Sequence, residues 1–356
     1  MRKFLHWGWT ASLAALTVWG LAGCGGGNDP LPPKANISKV YVMGDSLADV
    51  GTFSGLKFTV MDTANPRNSL VWPQLIANQF GLDGSAQCNF YTIASSVSTN
   101  SNCTNYAIGG ARIVNKAGDT LPTIGAQLAT RGAAPYATGD LLLVDGGGND
   151  AADLIVASAN PSQFQTILLQ QLSPASLTAL MTQDPTGNAA AVAYMQALAD
   201  NLYNAIKTQA LDKGATRIGL LNIPDVTITP RFKSVQGTAY QTAFRNWISA
   251  FNSQLKTRVG SDGRVALVDF YADFQDEIAN PASYSLSNVV DQACTVDNGA
   301  PFNYFPCTAA GLDATPGKTA GWWKTYAFSD GFHPTPYGHQ LLSASVSRAL
   351  ARAGWL

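Results

Sequence analysis

Val40-Tyr41-Val42-Met43-Gly44-Asp45-Ser46-Leu47-Ala48-Asp49-Val50-Gly51 is the stretch on which the reading of this chain turns. Its first four residues are apolar and β-prone, and the run then breaks into Gly-Asp-Ser. A buried strand followed by a tight turn sets Ser46 at the strand's carboxyl end, where open α/β sheets build their sites. A serine hydroxyl is a weak nucleophile by itself. It needs a base to take its proton, an acid to orient that base, and donors for the oxyanion that forms after attack.

Working outward, three further strands are expected: Asp140–Val144, Arg217–Leu221 and Val265–Asp269, all apolar runs. The second of the four runs straight into Gly146-Gly147-Gly148-Asn149-Asp150. Between the strands lie helical patterns. Residues 68–82 are amphipathic, with Pro73 near the start and Gly81 at the end. Ala189–Leu211 carries Val192, Met195, Leu198, Leu202 and Ile206 on one stripe. Tyr240, Phe244, Trp247, Ile248, Phe251 and Leu255 mark another stripe, and a last helix opens near Pro336 with Leu341, Leu342, Val346 and Leu350. Residues 151–185 are broken by prolines into short helices, 84–104 read as a surface loop, and 270–328 as an irregular aromatic-rich stretch. Strands alternating with helices predict an α/β domain with a mainly parallel sheet covered on both faces. No fixed-period repeat is present.

Of 356 residues, 46% are apolar and 13% charged, so a large core is expected and disorder is not. The net charge of −1 offers no basic surplus for nucleic acid or an anionic membrane surface. Arg2 and Lys3 precede an apolar stretch from Phe4 to Leu21, which reads as a secretory leader over residues 1–23. It ends in Leu21-Ala22-Gly23-Cys24, which resembles the lipobox of bacterial lipoproteins. That resemblance implies lipidation at Cys24, a Gly/Pro-rich tether over 24–38, and a folded domain over 39–356. Gly25 rather than Asp implies the outer membrane, on its periplasmic or outer face. An ordinary leader with a chance cysteine is the plainer alternative. With Cys24 set aside, four cysteines remain, and local Cys88–Cys103 and Cys294–Cys307 bridges are the economical pairing of three. Free buried thiols are the alternative. A metal site is not expected, since no CxxC or His/Cys cluster occurs.

Outside the leader, which holds His6, the histidines are His333 and His339. His333 lies in Asp330-Gly331-Phe332-His333, where Asp330 is close enough in a turn to orient the imidazole. His339 falls inside the last helix and reads as a packing or surface residue. For the oxyanion the candidates are the backbone N–H groups of Ser46 and Gly110 and the side-chain amide of Asn149. Taken singly, Gly109-Gly110 is a plain turn and Asn149 an N-cap. Gly-x-Ser-x-Gly, the nucleophile elbow of another hydrolase fold, does not occur.

Four blocks in order carry a family resemblance: GDSL at 44–47, Asn-x-Ala-x-x-Gly at 105–110, GGND at 147–150 and Asp-x-x-His-Pro at 330–334. From about Val40 to its end the chain resembles the SGNH/GDSL hydrolase family. The longer matches YVMGDSLADVG and LNIPDVTITP resemble the subgroup of plant GDSL lipases and bacterial lysophospholipases and acyltransferases. The resemblance implies a three-layer α/β/α, flavodoxin-like fold and hydrolysis of carboxylic esters. It also implies Ser46 as nucleophile, His333 as base, Asp330 as its orienter, and Ser46, Gly110 and Asn149 as the oxyanion hole. No cofactor is implied. The expected substrate is an ester of a lipid or an acylated small molecule, with a lysophospholipase as the narrower reading. Phe53, Phe58, Trp72, Trp322, Trp323, Tyr326 and Phe328 flank the motif segments and are the candidates for an apolar acyl groove, with core as the better reading of any one taken singly. Polysaccharide O-deacetylase and lipid acyltransferase stay open as alternatives, as does an outer-membrane binding lipoprotein without activity. With the chain ending soon after His333, no C-terminal β-barrel transporter of the kind some members carry is expected.

Overall fold

The computed structural model describes residues 35–294 and 307–356. The leader, Cys24 and the tether up to residue 34 lie outside the described residues, as do residues 295–306 between the second pair of cysteines. In chain order the strands are β1 Lys39–Met43, β2 Tyr91–Ile93, β3 Val97–Thr99, β4 Asp140–Val144, β5 Ile218–Leu221, β6 Val265–Val268, β7 Asn288–Gln292 and β8 Tyr326–Phe328. The helices are α1 Trp72–Gln79, α2 Ile124–Arg131, α3 Gly148–Ala157, α4 Pro161–Leu168 and α5 Pro174–Gln183, then α6 Asn188–Gln209, α7 Ala239–Val259, α8 Phe270–Ala279, α9 Ala309–Asp313 and α10 Pro336–Arg352.

The central sheet has the order β1-β4-β5-β6, and its pairs are all parallel. On the free side of β1 the chain around Asn105 adds a further parallel segment. Val42 N donates to Thr104 O at 3.0 Å, and Tyr106 N to Val42 O at 2.7 Å. Counting that segment, the order in chain numbering is 2-1-3-4-5, the flavodoxin arrangement, whose crevice opens where the order reverses beside the first strand.

Period-two alternation along the strands divides the interior into two cores. Met43, Leu142, Val144, Ile218 and Leu220 face one side, against residues of α2, α3, α6 and α7. Val40, Val42, Leu141, Leu143, Leu221 and Val268 face the other, against α1, α8 and α10. The expected α/β/α layering is therefore present, with the four β-runs at the expected positions to within a residue.

Several local expectations are corrected. The helix read over 68–82 shrinks to α1, because Pro73 sits in its first turn and its ring excludes a helical turn before it. Gly81, at φ +77, ends it. The loop at 84–104 contains the antiparallel β2–β3 hairpin. Within 270–328, α8 follows β6 directly because Asp269, read as the last strand residue, caps it by accepting from Ala272 N. Tyr240, placed on the buried stripe of α7, is 69% exposed, while Phe244, Trp247, Ile248, Phe251 and Leu255 are buried. Both local disulfides, Cys88–Cys103 and Cys294–Cys307, are formed.

Leu143 is fully buried at the middle of the sheet, in contact with the face that carries α10. Leu143→Ala is expected to cost about 2–5 kcal/mol by transfer and cavity terms. The readout is a lower urea midpoint at unchanged slope.

Candidate active site

β1 delivers Gly44-Asp45-Ser46 to the sheet's carboxyl edge, and several bonds fix the turn there. Fully buried Gln127 of α2 clamps Gly44 from both sides: its Oε1 accepts from Gly44 N at 2.8 Å and its Nε2 donates to Gly44 O at 3.0 Å. Leu47 N donates to Asp45 Oδ1 at 3.0 Å, and Ala48 N and Asp49 N donate to Asp45 O. A side chain at residue 44 is excluded, since its Cβ would lie 1.8 Å from Asp145 Oδ1. Ser46 ends up 5% exposed at the edge of a cavity.

The partner segment is a closed turn between β8 and α10. Ser329 N donates to His333 O, and Ser329 Oγ to Pro334 O, both at 2.8 Å. Thr335 N donates to Ala327 O, and Thr335 Oγ1, the cap of α10, to Tyr326 O at 2.6 Å. Within this turn Asp330 Oδ1 accepts from the backbone N–H of Phe332 and of His333, each at 2.7 Å. His333 Nδ1 lies 2.8 Å from Asp330 Oδ2, and His333 Nε2 lies 2.8 Å from Ser46 Oγ. Residues 287 apart in sequence thus meet in one hydrogen-bonded chain.

The electrostatics of the chain are polarised. Burial works to raise the Asp330 carboxyl, but the charge of His333 and the three N–H groups outweigh it and hold the carboxyl below its ordinary value. Burial works to lower His333, and the charge and hydrogen bond of Asp330, helped by Asp45, outweigh it, so the imidazole sits above its ordinary value. His339, by contrast, is fully buried in α10 and pushed down to about 3 by burial. Its Nδ1 accepts from Trp72 N at 3.4 Å, so it is a neutral packing residue.

Gly110 and Asn149 arrive from the two neighbouring strand ends. Asn149 Nδ2 donates to Ala111 O at 3.0 Å and approaches Asp45 Oδ2 at 3.3 Å, so it bridges the residue after Gly110 and the residue before Ser46. It is not the cap of α3; that position is Gly147, at φ +95. Gly110 is at φ +81, a conformation that suits glycine, and among the described residues no hydrogen bond engages its N–H or that of Ser46. Asp49 holds this region to the serine turn. Its Oδ2 accepts from Gly109 N and its Oδ1 from Gly51 N and Thr52 N, all at 2.8 Å. Asn105, the asparagine of the second block, donates to Ala48 O at 2.8 Å and is fully buried.

Residues 40–346 match the model of the GDSL-like lipase/acylhydrolase family. The chain belongs to that family. It is 26% identical over 336 residues to a Pseudomonas putida protein described as uncharacterised and encoded in the trpE–trpG intergenic region, covering 89% of this chain and 49% of that protein. It is 25% identical over 350 residues to Lipase 1 of Photorhabdus luminescens, covering 86% of this chain and 49% of that one. This chain spans about half the length of the curated relatives it matches. Among solved structures, the extracellular lipase of Streptomyces rimosus aligns at 17% identity and a TM-score of 0.41, over 87% of this chain and 98% of that one.

For this GDSL-like chain, the sequence reading missed the carboxyls beneath the serine. Asp145 follows β4, and its Oδ1 accepts from Asp45 N at 3.0 Å. Burial raises both carboxyls, and the charge of Asp45 pushes Asp145 up further. Asp150, pushed up to about 7 by burial, accepts from Ile113 N and Val114 N and ties the Gly110 segment to α3. The signal for Asp145 was available, an acid at a buried strand's end; Gln127 gave none. The aromatic residues read as an acyl groove also sort differently. Phe58 packs on His333 with ring centroids 5.1 Å apart. Trp72 is core, and Trp322, Trp323 and Tyr326 form a separate cluster with Val60. The cavity beside Ser46 is walled by Phe270, Phe274, Phe332 and Leu341 together with Phe328, the member of that aromatic set that lines it.

Replacing Gln127 by Leu orphans the buried N–H of Gly44, a loss of about 1–3 kcal/mol, while the Gly44 C=O keeps its bond from Ile108 N at 3.1 Å. Chemical denaturation of Gln127→Leu should show a loss in that range, and reaction of Ser46 with a fluorophosphonate should slow.

Proposed function

We propose that the protein is a serine carboxylic-ester hydrolase acting through an acyl-enzyme. The observation that carries this reading is the continuous chain from Ser46 Oγ to His333 Nε2 and from His333 Nδ1 to Asp330, with 2.8 Å at each step. Membership of the GDSL-like lipase/acylhydrolase family and the likeness to a protein named Lipase 1 support it.

In the proposed reaction His333 Nε2 takes the Ser46 proton as Oγ attacks the ester carbonyl. Asp330, held ionised, fixes the Nδ1–H tautomer and stabilises the imidazolium. The N–H groups of Ser46 and Gly110 and the Asn149 amide receive the oxyanion, and losing one donor costs about 10²–10³ in rate by comparison with other oxyanion holes. The alcohol leaves with the proton from His333. Water, activated by the same imidazole, then attacks the acyl-enzyme, and the acid departs as Ser46 regains its proton.

The acyl group would lie in the apolar cavity beside Ser46, which favours a lipid ester or acylated small molecule, with lysophospholipids as the narrower class. The lipobox-like Leu21-Ala22-Gly23-Cys24 supports an exported, lipid-anchored protein of the outer membrane, which would hold the site near such esters. The acyltransferase reading differs only in which nucleophile meets the acyl-enzyme.

Hydrolysis of p-nitrophenyl esters from acetate to palmitate should peak beyond short chains and vanish in Ser46→Ala, together with fluorophosphonate labelling. Full activity in Ser46→Ala would sink the mechanism. Because His333 must be neutral to act as base and its pKa is raised, kcat/KM should rise with pH through a midpoint above about 6.5. Asp330→Asn removes the charge that raises it. The variant's midpoint should move down and its plateau fall by about 10³–10⁴, by comparison with a serine-protease triad.

A further inference from the structure

The cavity that holds Ser46 and His333 contains one group that the proposed mechanism does not use. Phe270, Phe274 and Glu277 stand at i, i+4 and i+7 on one face of α8, and all three line the cavity. Glu277 is 5% exposed, and its cavity neighbours include Leu286, Phe328 and Leu341. Among the described residues no hydrogen bond or ion pair reaches its carboxyl. The cation that α10 presents to α8, Arg348, is bonded to Asp273 at 2.9 Å instead. Asp276, the other nearby acid, accepts from Tyr284 and Asn280. An acid so placed is a costly way to fill an apolar wall unless something meets it.

We propose that Glu277 is a specificity-determining residue that reads a hydroxyl on the substrate's acyl chain, so that oxygenated acyl esters are preferred over plain alkyl ones. This rests on the reading of the cavity as the acyl site of the Ser46 reaction. The chemistry is set by the protonation state. Burial, with repulsion from Asp273 and Asp276 and only partial relief from Arg348, pushes the carboxyl up to about 8. At neutral pH it is a carboxylic acid, with one O–H to donate and a carbonyl to accept. A hydroxyl supplies the complementary pair: it accepts from the acid O–H and donates to the carbonyl. A plain methylene chain satisfies neither and displaces whatever water serves them. Sites built to bond a hydroxyl discriminate strongly against the analogue that lacks it.

The test is binding, so that it does not depend on turnover. Ser46→Ala protein is titrated calorimetrically at pH 7 with methyl esters of medium-chain acids, each unsubstituted or carrying one hydroxyl at successive positions along the chain. The expected result is one position at which the hydroxyl tightens binding by about tenfold or more. That gain should disappear on adding Glu277→Leu and persist largely intact with Glu277→Gln, whose amide also donates and accepts. The proposal is overturned if no position gives a gain, if no ester binds, or if the gain survives Glu277→Leu. Should Glu277→Leu fail to fold, the position scan and the Glu277→Gln comparison still decide. Loss of wild-type p-nitrophenyl ester hydrolysis would tell against the esterase reading and is measured separately.

Discussion

The site depends on the in-register parallel pairing of β1 with β4, which sets Met43 opposite Val144. Because both strands end together, the residues that leave them are forced side by side at the sheet's carboxyl edge. Asp45 then meets Asp145, and Ser46 lies beside the turn that leads to Asn149. The segment around Asn105 pairs along the other side of β1 and delivers Gly110 to the same place. The two pairings made by β1 therefore position three of the four motif blocks. A slip of one residue would exchange the two cores of the sheet, since every strand side chain would change face.

The fourth block comes from the far end of the chain, and its precision has a different source. The turn carrying Asp330 and His333 is closed on itself by Ser329 and Thr335 and is tied to Thr59 and Val60 from outside. Its acid differs from the other carboxyls near the site. Asp45, Asp49, Asp145 and Asp150 are all raised, with burial as the largest cause. Asp330 alone among them is lowered, because the imidazole and two backbone N–H groups converge on it. Environment, rather than residue type, separates the carboxyl that can orient a base from those that brace backbone.

Most of the fold was legible because buried parallel strands are uniformly apolar, and Asp140–Val144 or Ile218–Leu221 can hardly be read otherwise. The site residues Ser46, Asp330 and His333 were legible because the chain beyond its leader has so few histidines and one serine in a strand-end turn. What could not be read was the bracing. Gln127 is an ordinary polar helix residue in sequence, and only the fold turns it toward Gly44. Helix α8 was lost because its cap, Asp269, reads equally well as the last residue of a strand. With α8 went most walls of the cavity, so of the aromatic residues assigned to the groove Phe328 lines it, while Trp322, Trp323 and Tyr326 pack elsewhere.

The two faces of the sheet divide the labour unequally. The face covered by α2, α3, α6 and α7 is continuous core, and α6 and α7 bury Leu198, Leu202, Phe251 and Leu255 with almost no exposure. Its contribution to the site is rigidity: it anchors Gln127 and the start of α3. The opposite face is covered by α1, α8 and α10, and there the packing opens into a cavity between the strand ends and α8. The same crossover that puts α8 directly after β6 brings Phe270, Phe274 and Glu277 over that opening. A polar group in such a wall lowers stability unless it is matched, so its presence is better explained by what enters the cavity than by what surrounds it.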